Sequence, residues 1–247
     1  MKKPVKIALI VLCVIFLSIF VYSGYKLIST LHEYKVAEDT YNKISSDYVS
    51  PKSDKNKDKD NSDGNQITES SPVDVDFDAL LNQCQDVVGW LYSENTVINY
   101  PVVQAEDNEY YLNRSFKRKE ASCGTIFMDY QNNLNPLDRN TIVFGHNMGG
   151  SSSLMFSQLT KFKKQSYWEK HQTLQFDTPH RTGTWQILAV CHLDVGTLEQ
   201  FNFLQQDFIS DDAFVGFVQS IKARALYETN VYAPADGRLL TLVTCDR

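Results

Sequence analysis

The sequence predicts a mainly β domain, a closed barrel or sandwich, with one helix at its amino-terminal end and another inserted between the last two predicted strands. Two patterns lead there. Six short β-branched or aromatic runs lie between residues 96 and 244, and amphipathic helical spacing beyond residue 72 is confined to two places. The length and composition agree. A chain of 247 residues, 43% hydrophobic and 22% charged, is not wholly disordered, collagen-like or a disulfide-dense mini-protein. The first 72 residues cannot build a globular core, which leaves about 175, enough for one domain.

At the amino terminus Lys2, Lys3 and Lys6 precede residues 7–22, a run of sixteen whose only polar member is Ser18, and the segment extends to residue 25. Nineteen residues at ~1.5 Å each span ~28 Å, close to the hydrocarbon thickness of a bilayer. The flanking lysines hold that end in the cytoplasm, so the rest is exported. The expected organisation is a cytoplasmic tip (1–6), an uncleaved single-pass anchor (7–25), a juxtamembrane segment and polar linker (26–72), and an extracytoplasmic domain (73–247). A cleaved signal peptide is the rival reading, but its apolar core is usually shorter and no small-x-small cleavage site is evident. Residues 30–46 continue as a juxtamembrane helix with Leu31, Tyr34, Ala37 and Tyr41 at helical spacing. Residues 50–65 contain no large apolar side chain and alternate in charge, which predicts a solvated tether setting a working distance from the membrane.

In the folded part Asp76 caps a helix in which Phe77, Leu80, Leu81, Cys84 and Val88 share a face, with Gly89 where the helix should stop. The predicted strands are 96–103, interrupted by Pro101, then 124–129, 141–145, 173–177, 184–192 and 238–244. More than forty residues separate the last two, too many for a bare loop. Asp211 and Asp212, followed by Phe214, Val215, Phe217, Val218, Ile221 and Leu226, read as a capped amphipathic helix within them. Its minimal role is to pack on the barrel, and it is also placed to shape a substrate groove.

Residues 73–247 carry fourteen basic against twenty-one acidic side chains, a net charge of −7. Nucleic acid is therefore not an expected partner. Five cysteines (Cys13, Cys84, Cys123, Cys191, Cys245) are an odd number without CxxC spacing, so neither a zinc site nor a disulfide framework is indicated. Cys84 and Cys123 read as structural. Chemistry is expected where an apolar strand ends on a reactive side chain. Residues 140–146 deliver His146 in this way, and residues 239–245 deliver Cys245. A cysteine and a histidine from distant parts of the chain form a nucleophile–base pair if the fold joins them; free cysteines are otherwise commonly buried and inert. The other histidines compete poorly: His32 is juxtamembrane, His171 and His180 sit in polar, loop-like surroundings and are expected to be exposed, and His192 alternates with Cys191. Residues 149–153 lack GK[ST] and GxGxxG and read as a flexible turn, while Tyr110, Tyr111 and Phe116 read as core or rim.

The two motifs together resemble a known family. Thr241-Leu-Val-Thr-Cys245 matches the TLxTC signature of sortases, and His146 falls about one hundred residues upstream, as their catalytic histidine does. The resemblance covers residues 74–245 and is greatest to class B, through Val88-Gly-Trp-Leu, Ile98-Asn-Tyr-Pro-Val-Val-Gln, Asp107-Asn-Glu-Tyr-Tyr-Leu, Ile126-Phe-Met-Asp-Tyr and Asp138-Arg-Asn-Thr-Ile-Val-Phe-Gly-His-Asn-Met. It implies a membrane-anchored cysteine transpeptidase of Gram-positive type on a sortase barrel. Such enzymes cleave an LPxTG or NPxTN sorting signal after Thr, hold the surface protein as a thioacyl-enzyme and release it to a cell-wall amine. Cys245 would be the nucleophile and His146 the acid and base, and no metal or organic cofactor is implied.

Free cysteine and histidine, with pKa values of about 8.5 and 6.5, exist as thiolate and imidazolium only about 1% of the time relative to the neutral pair. Nearby positive charge raises that fraction and stabilises the oxyanion. Sortases supply it from an arginine on the strand after the cysteine, whereas Arg247, two residues on, does not occupy that position, and the final family strand is expected to be missing. In a continued strand Arg247 would share a face with Cys245, roughly 6–7 Å away at the backbone, where a substitute role is conceivable; terminal residues more commonly fray. The alternatives to an active sortase are a catalytically impaired sortase-like binding protein and a hydrolytic cysteine protease of another fold.

Overall fold

The computed structural model describes residues 3–52, 71–150, 152–194 and 201–245. The chain divides into two compact units, residues 1–40 and 41–247. One helix, α1 (Lys3–Tyr48), contains both the expected anchor and the expected juxtamembrane helix. In the first unit its apolar side chains are exposed, Phe20 at 76%, and its most apolar stretch reaches a mean hydropathy of 2.8. It is long and apolar enough to cross a bilayer, a property that membrane anchors share with signal sequences.

In the second unit the end of α1 belongs to the core. Tyr41 and Ile44 are buried, and the Tyr41 hydroxyl donates to the Gly124 carbonyl at 3.0 Å. Burial pushes this phenol well above its ordinary pKa, so it stays a donor. The folded unit therefore begins before residue 73, where composition places its start. β1 (Val49–Pro51) and β2 (Val73–Val75) then pair antiparallel, Val49 opposite Val75 and Pro51 opposite Val73. Most of the predicted tether, from residue 53 on, lies outside the described residues.

Helix α2 (Phe77–Gln83) starts as predicted, with Asp76 Oδ1 accepting the Ala79 N–H at 2.9 Å, but it ends at Cys84 rather than at Gly89. Val87 and Val88 instead open strand β3 (Val87–Tyr92), where β-branched and aromatic side chains favour extended backbone. Gly89 serves a close approach of strands rather than a helix stop. A Cβ there would lie 2.6 Å from the Phe176 ring and 2.8 Å from the Asp177 carbonyl. Gly89→Ala must push the strands apart, and a loss of roughly 1–3 kcal/mol is expected in chemical denaturation.

The main sheet has seven strands in the order β8-β7-β3-β4-β5-β6-β9, curled into a nearly closed barrel. Its members after β3 are β4 (Asn99–Val103), β5 (Phe127–Met128), β6 (Asn140–Phe144), β7 (Thr173–Asp177), β8 (Thr184–Gln186) and β9 (Leu239–Val243). Pro101 is accommodated in β4 because β5 meets β4 only at Val103, which leaves no strand neighbour on that side of Pro101. β8 is shorter than predicted because the chain beyond it turns to the segment after the insertion helix. Val190 accepts the Leu226 N–H at 2.8 Å, and Leu188 accepts the Thr229 hydroxyl at 2.5 Å. Trp90, Phe156, Phe176 and Leu91 form the centre of the core.

After the short helix α3 (Gln165–Trp168), His171 is not the exposed loop residue expected. Its ring stacks on Tyr167 with centroids 4.2 Å apart. The insertion helix α4 (Asp211–Lys222) is capped by Ser210, whose hydroxyl accepts the Ala213 N–H, and buries Phe214, Phe217 and Val218. Arg139 ties it to the start of β6, pairing with Asp211 at 2.9 Å and lying over the Phe214 ring at 4.2 Å. These contacts fall at the end of β6 away from His146, so packing is the role they support.

Candidate active site

Strands β6 and β9 are parallel neighbours, with Asn140 opposite Leu239 and Phe144 opposite Val243. Parallel neighbours end at the same edge of a sheet, about 4.8 Å apart. The pairing persists beyond the strands: the Gly145 N–H donates to Val243 O at 3.1 Å, and the Thr244 hydroxyl donates to Gly145 O at 2.8 Å. One step further come His146 and Cys245. The Thr241 hydroxyl donates to Asn140 Oδ1 at 2.6 Å across the two strands, and side-chain alternation carries that shared face forward to His146 and Cys245. The structure thus brings together the two reactive strand ends.

Cys245 is exposed, whereas His146 is half-buried with its Nε2 2.7 Å from the Leu112 carbonyl oxygen. A carbonyl only accepts, so Nε2 carries the proton. Nδ1 is the nitrogen left to take a proton from elsewhere. On the other side the Phe156 N–H donates to the His146 carbonyl at 2.9 Å, fixing the backbone that bears the ring. Gly149 and Gly150 follow at φ +68° and +59°, forming the turn expected of that segment.

The Leu112 carbonyl belongs to a 3₁₀ turn, Tyr110–Leu112, opened by Asp107, whose Oδ1 accepts the N–H groups of Glu109 and Tyr110. Tyr111 is buried and donates its hydroxyl to Asp86 at 2.5 Å; Asp86 in turn pairs with Arg118 through two bonds, at 3.0 and 2.7 Å. Desolvation first, then the Asp86 carboxylate, raises the Tyr111 pKa far above its ordinary value, which keeps it a donor. Cys84 lies buried against this phenol at 3.7 Å, and Cys123 is also buried. Among the described residues no group of three or more His, Cys, Asp or Glu could hold a metal ion.

Sortase B of Staphylococcus aureus is 31% identical to this chain over 242 residues, which are 98% of this chain and 88% of that protein. The chain belongs to the class B sortases. No family model matches it. Two solved structures are similar to this sortase: the Staphylococcus aureus sortase B–substrate complex, with TM-score 0.64 and 33% identity over 69% of this chain and 76% of that one, and sortase B from B. anthracis, with TM-score 0.69 and 28% identity over 88% and 93%. The mainly β fold with its amino-terminal helix matches these structures, and the chain is a sortase B-type cysteine transpeptidase.

Reading side chains along the sequence of this sortase missed the Leu112 carbonyl. A backbone acceptor has no residue signature, and the Asx turn at Asp107 was the only local hint that residues 110–112 are fixed. Arg247 lies outside the described residues.

Proposed function

We propose that this sortase cleaves a sorting signal of the LPxTG or NPxTN kind after Thr and transfers the surface protein to an amine of the cell wall. The observation that carries the reading is the parallel β6–β9 register, whose strands end two residues before His146 and Cys245. In this scheme His146 Nδ1 takes the Cys245 proton, and the thiolate attacks the Thr carbonyl carbon. The imidazolium then gives its proton to the departing amine as the peptide bond breaks, leaving a thioacyl-enzyme. An incoming amine loses a proton to His146, attacks the thioester and leaves as an amide, and the thiol is restored. The exposure of Cys245 suits a macromolecular acyl donor.

The anchor is residues 7–25, with Lys2, Lys3 and Lys6 on the cytoplasmic side and the catalytic domain outside. The partners are surface proteins bearing the signal, a peptidoglycan precursor or cross-bridge amine, and the membrane. The test offers LPxTG and NPxTN peptides to the full chain in detergent, with and without a primary amine. An amide adduct that replaces the hydrolysis product when amine is added is the expected result. Hydrolysis unaffected by amine at any concentration would make the chain a protease instead.

A further inference from the structure

The Leu112 carbonyl that receives His146 Nε2–H is packed against a second backbone segment. Gly124, at φ +58°, passes so close that a Cβ on it would lie 2.6 Å from Leu112 O, 2.6 Å from Tyr111 O and 3.1 Å from the Leu112 carbonyl carbon. All three contacts are backbone, so none is relieved by rotating a side chain. Gly124 cannot retreat either. Its N–H donates to Ala121 O at 3.0 Å, its carbonyl accepts the buried Tyr41 hydroxyl at 3.0 Å, and the next residue's N–H donates to Tyr111 O at 3.1 Å. The opposing turn is held by the Asp107 cap and by the Tyr111–Asp86 bond.

With both segments held, any atom added at residue 124 displaces the carbonyls of 111 and 112. We propose that Gly124 is a positioning residue for His146: its missing side chain lets the Leu112 carbonyl take Nε2–H, which fixes the imidazole tautomer and turns Nδ1 toward Cys245. The proposal rests on His146 acting as acid and base, and it makes residue 124 matter to the reaction without touching substrate.

The test uses the full chain in detergent with ¹⁵N-histidine labelling, together with the variants Gly124→Ala and Gly124→Asn. Asparagine tolerates left-handed backbone but still carries a Cβ, so it separates crowding of the carbonyl from backbone strain. Gly216→Ala, on an exposed stretch of α4 where an added Cβ meets nothing within 4 Å, is the control. In the parent chain neutral His146 is expected as the Nε2–H tautomer. Both Gly124 variants should lose that single tautomer and lower kcat for the sorting peptide on the order of tenfold to a hundredfold with KM nearly unchanged. Gly216→Ala should leave both as they are.

The proposal is overturned if the parent His146 is the Nδ1–H tautomer, a result that needs no variant to fold. It is equally overturned if folded Ala and Asn variants keep the parent tautomer and kcat, or if asparagine restores both. The tautomer is read without substrate. Its failure is therefore distinct from failure of the transpeptidase reading, which would show as unchanged cleavage after replacement of His146 itself.

Discussion

Cys245→Ala is expected to reduce sorting-peptide cleavage by at least about 10³-fold, to the uncatalysed background, while fold and peptide binding persist. The thiol forms the covalent intermediate in the proposed scheme, and alanine carries no nucleophile in its place. The other four cysteines lie elsewhere: Cys84 and Cys123 are buried, Cys13 is in the apolar part of α1, and Cys191 bridges Ala225. Because Cys245 is exposed at the end of β9, its truncation leaves no cavity, and the thermal transition should move little. Peptide cleavage followed by chromatography, with a melting curve on the same sample, checks both halves.

Asn140→Ala is expected to cost about 2–3 kcal/mol of stability, a large loss for a single polar side chain. The side chain is fully buried at the start of β6. Its Oδ1 accepts the Thr241 hydroxyl, and its amide donates to Gln205 O at 2.8 Å and to Phe203 O at 3.3 Å, so one residue joins β6, β9 and the insertion. Removing it deprives a half-buried hydroxyl and two backbone carbonyls of these bonds and leaves a gap where the buried amide was. Denaturant titration of the parent and variant chains measures the loss. Equal midpoints and slopes would mean that water or a rearranged loop replaces these bonds.

The candidate pair was legible because cysteine and histidine at the ends of β-branched runs are chemically distinctive, and strand β7 was legible because residues 173–177 form a short run rich in β-forming side chains. What joins the pair was not legible. The parallel adjacency of β6 and β9 is set by packing across nearly one hundred residues of intervening chain, and no local pattern encodes it. The boundary between α2 and β3 was misplaced for a related reason. Val88 falls on the helical face of Phe77, Leu80 and Cys84, but the demand of β7 for a residue without Cβ at position 89 overrides that spacing. The Leu112 carbonyl is common to every residue type, so only the fold distinguishes it from its neighbours.

The central point of the proposed reaction is that Cys245, paired with His146, carries the acyl group. Its most direct test is intact and peptide-level mass spectrometry of the full chain, quenched in acid during turnover of a sorting peptide without added amine. The predicted result is a thioacyl adduct with the mass of the peptide up to and including its Thr, located on the tryptic fragment that contains Cys245 and absent from Cys245→Ala. Turnover with no adduct, or an adduct on any other residue, would contradict the claim.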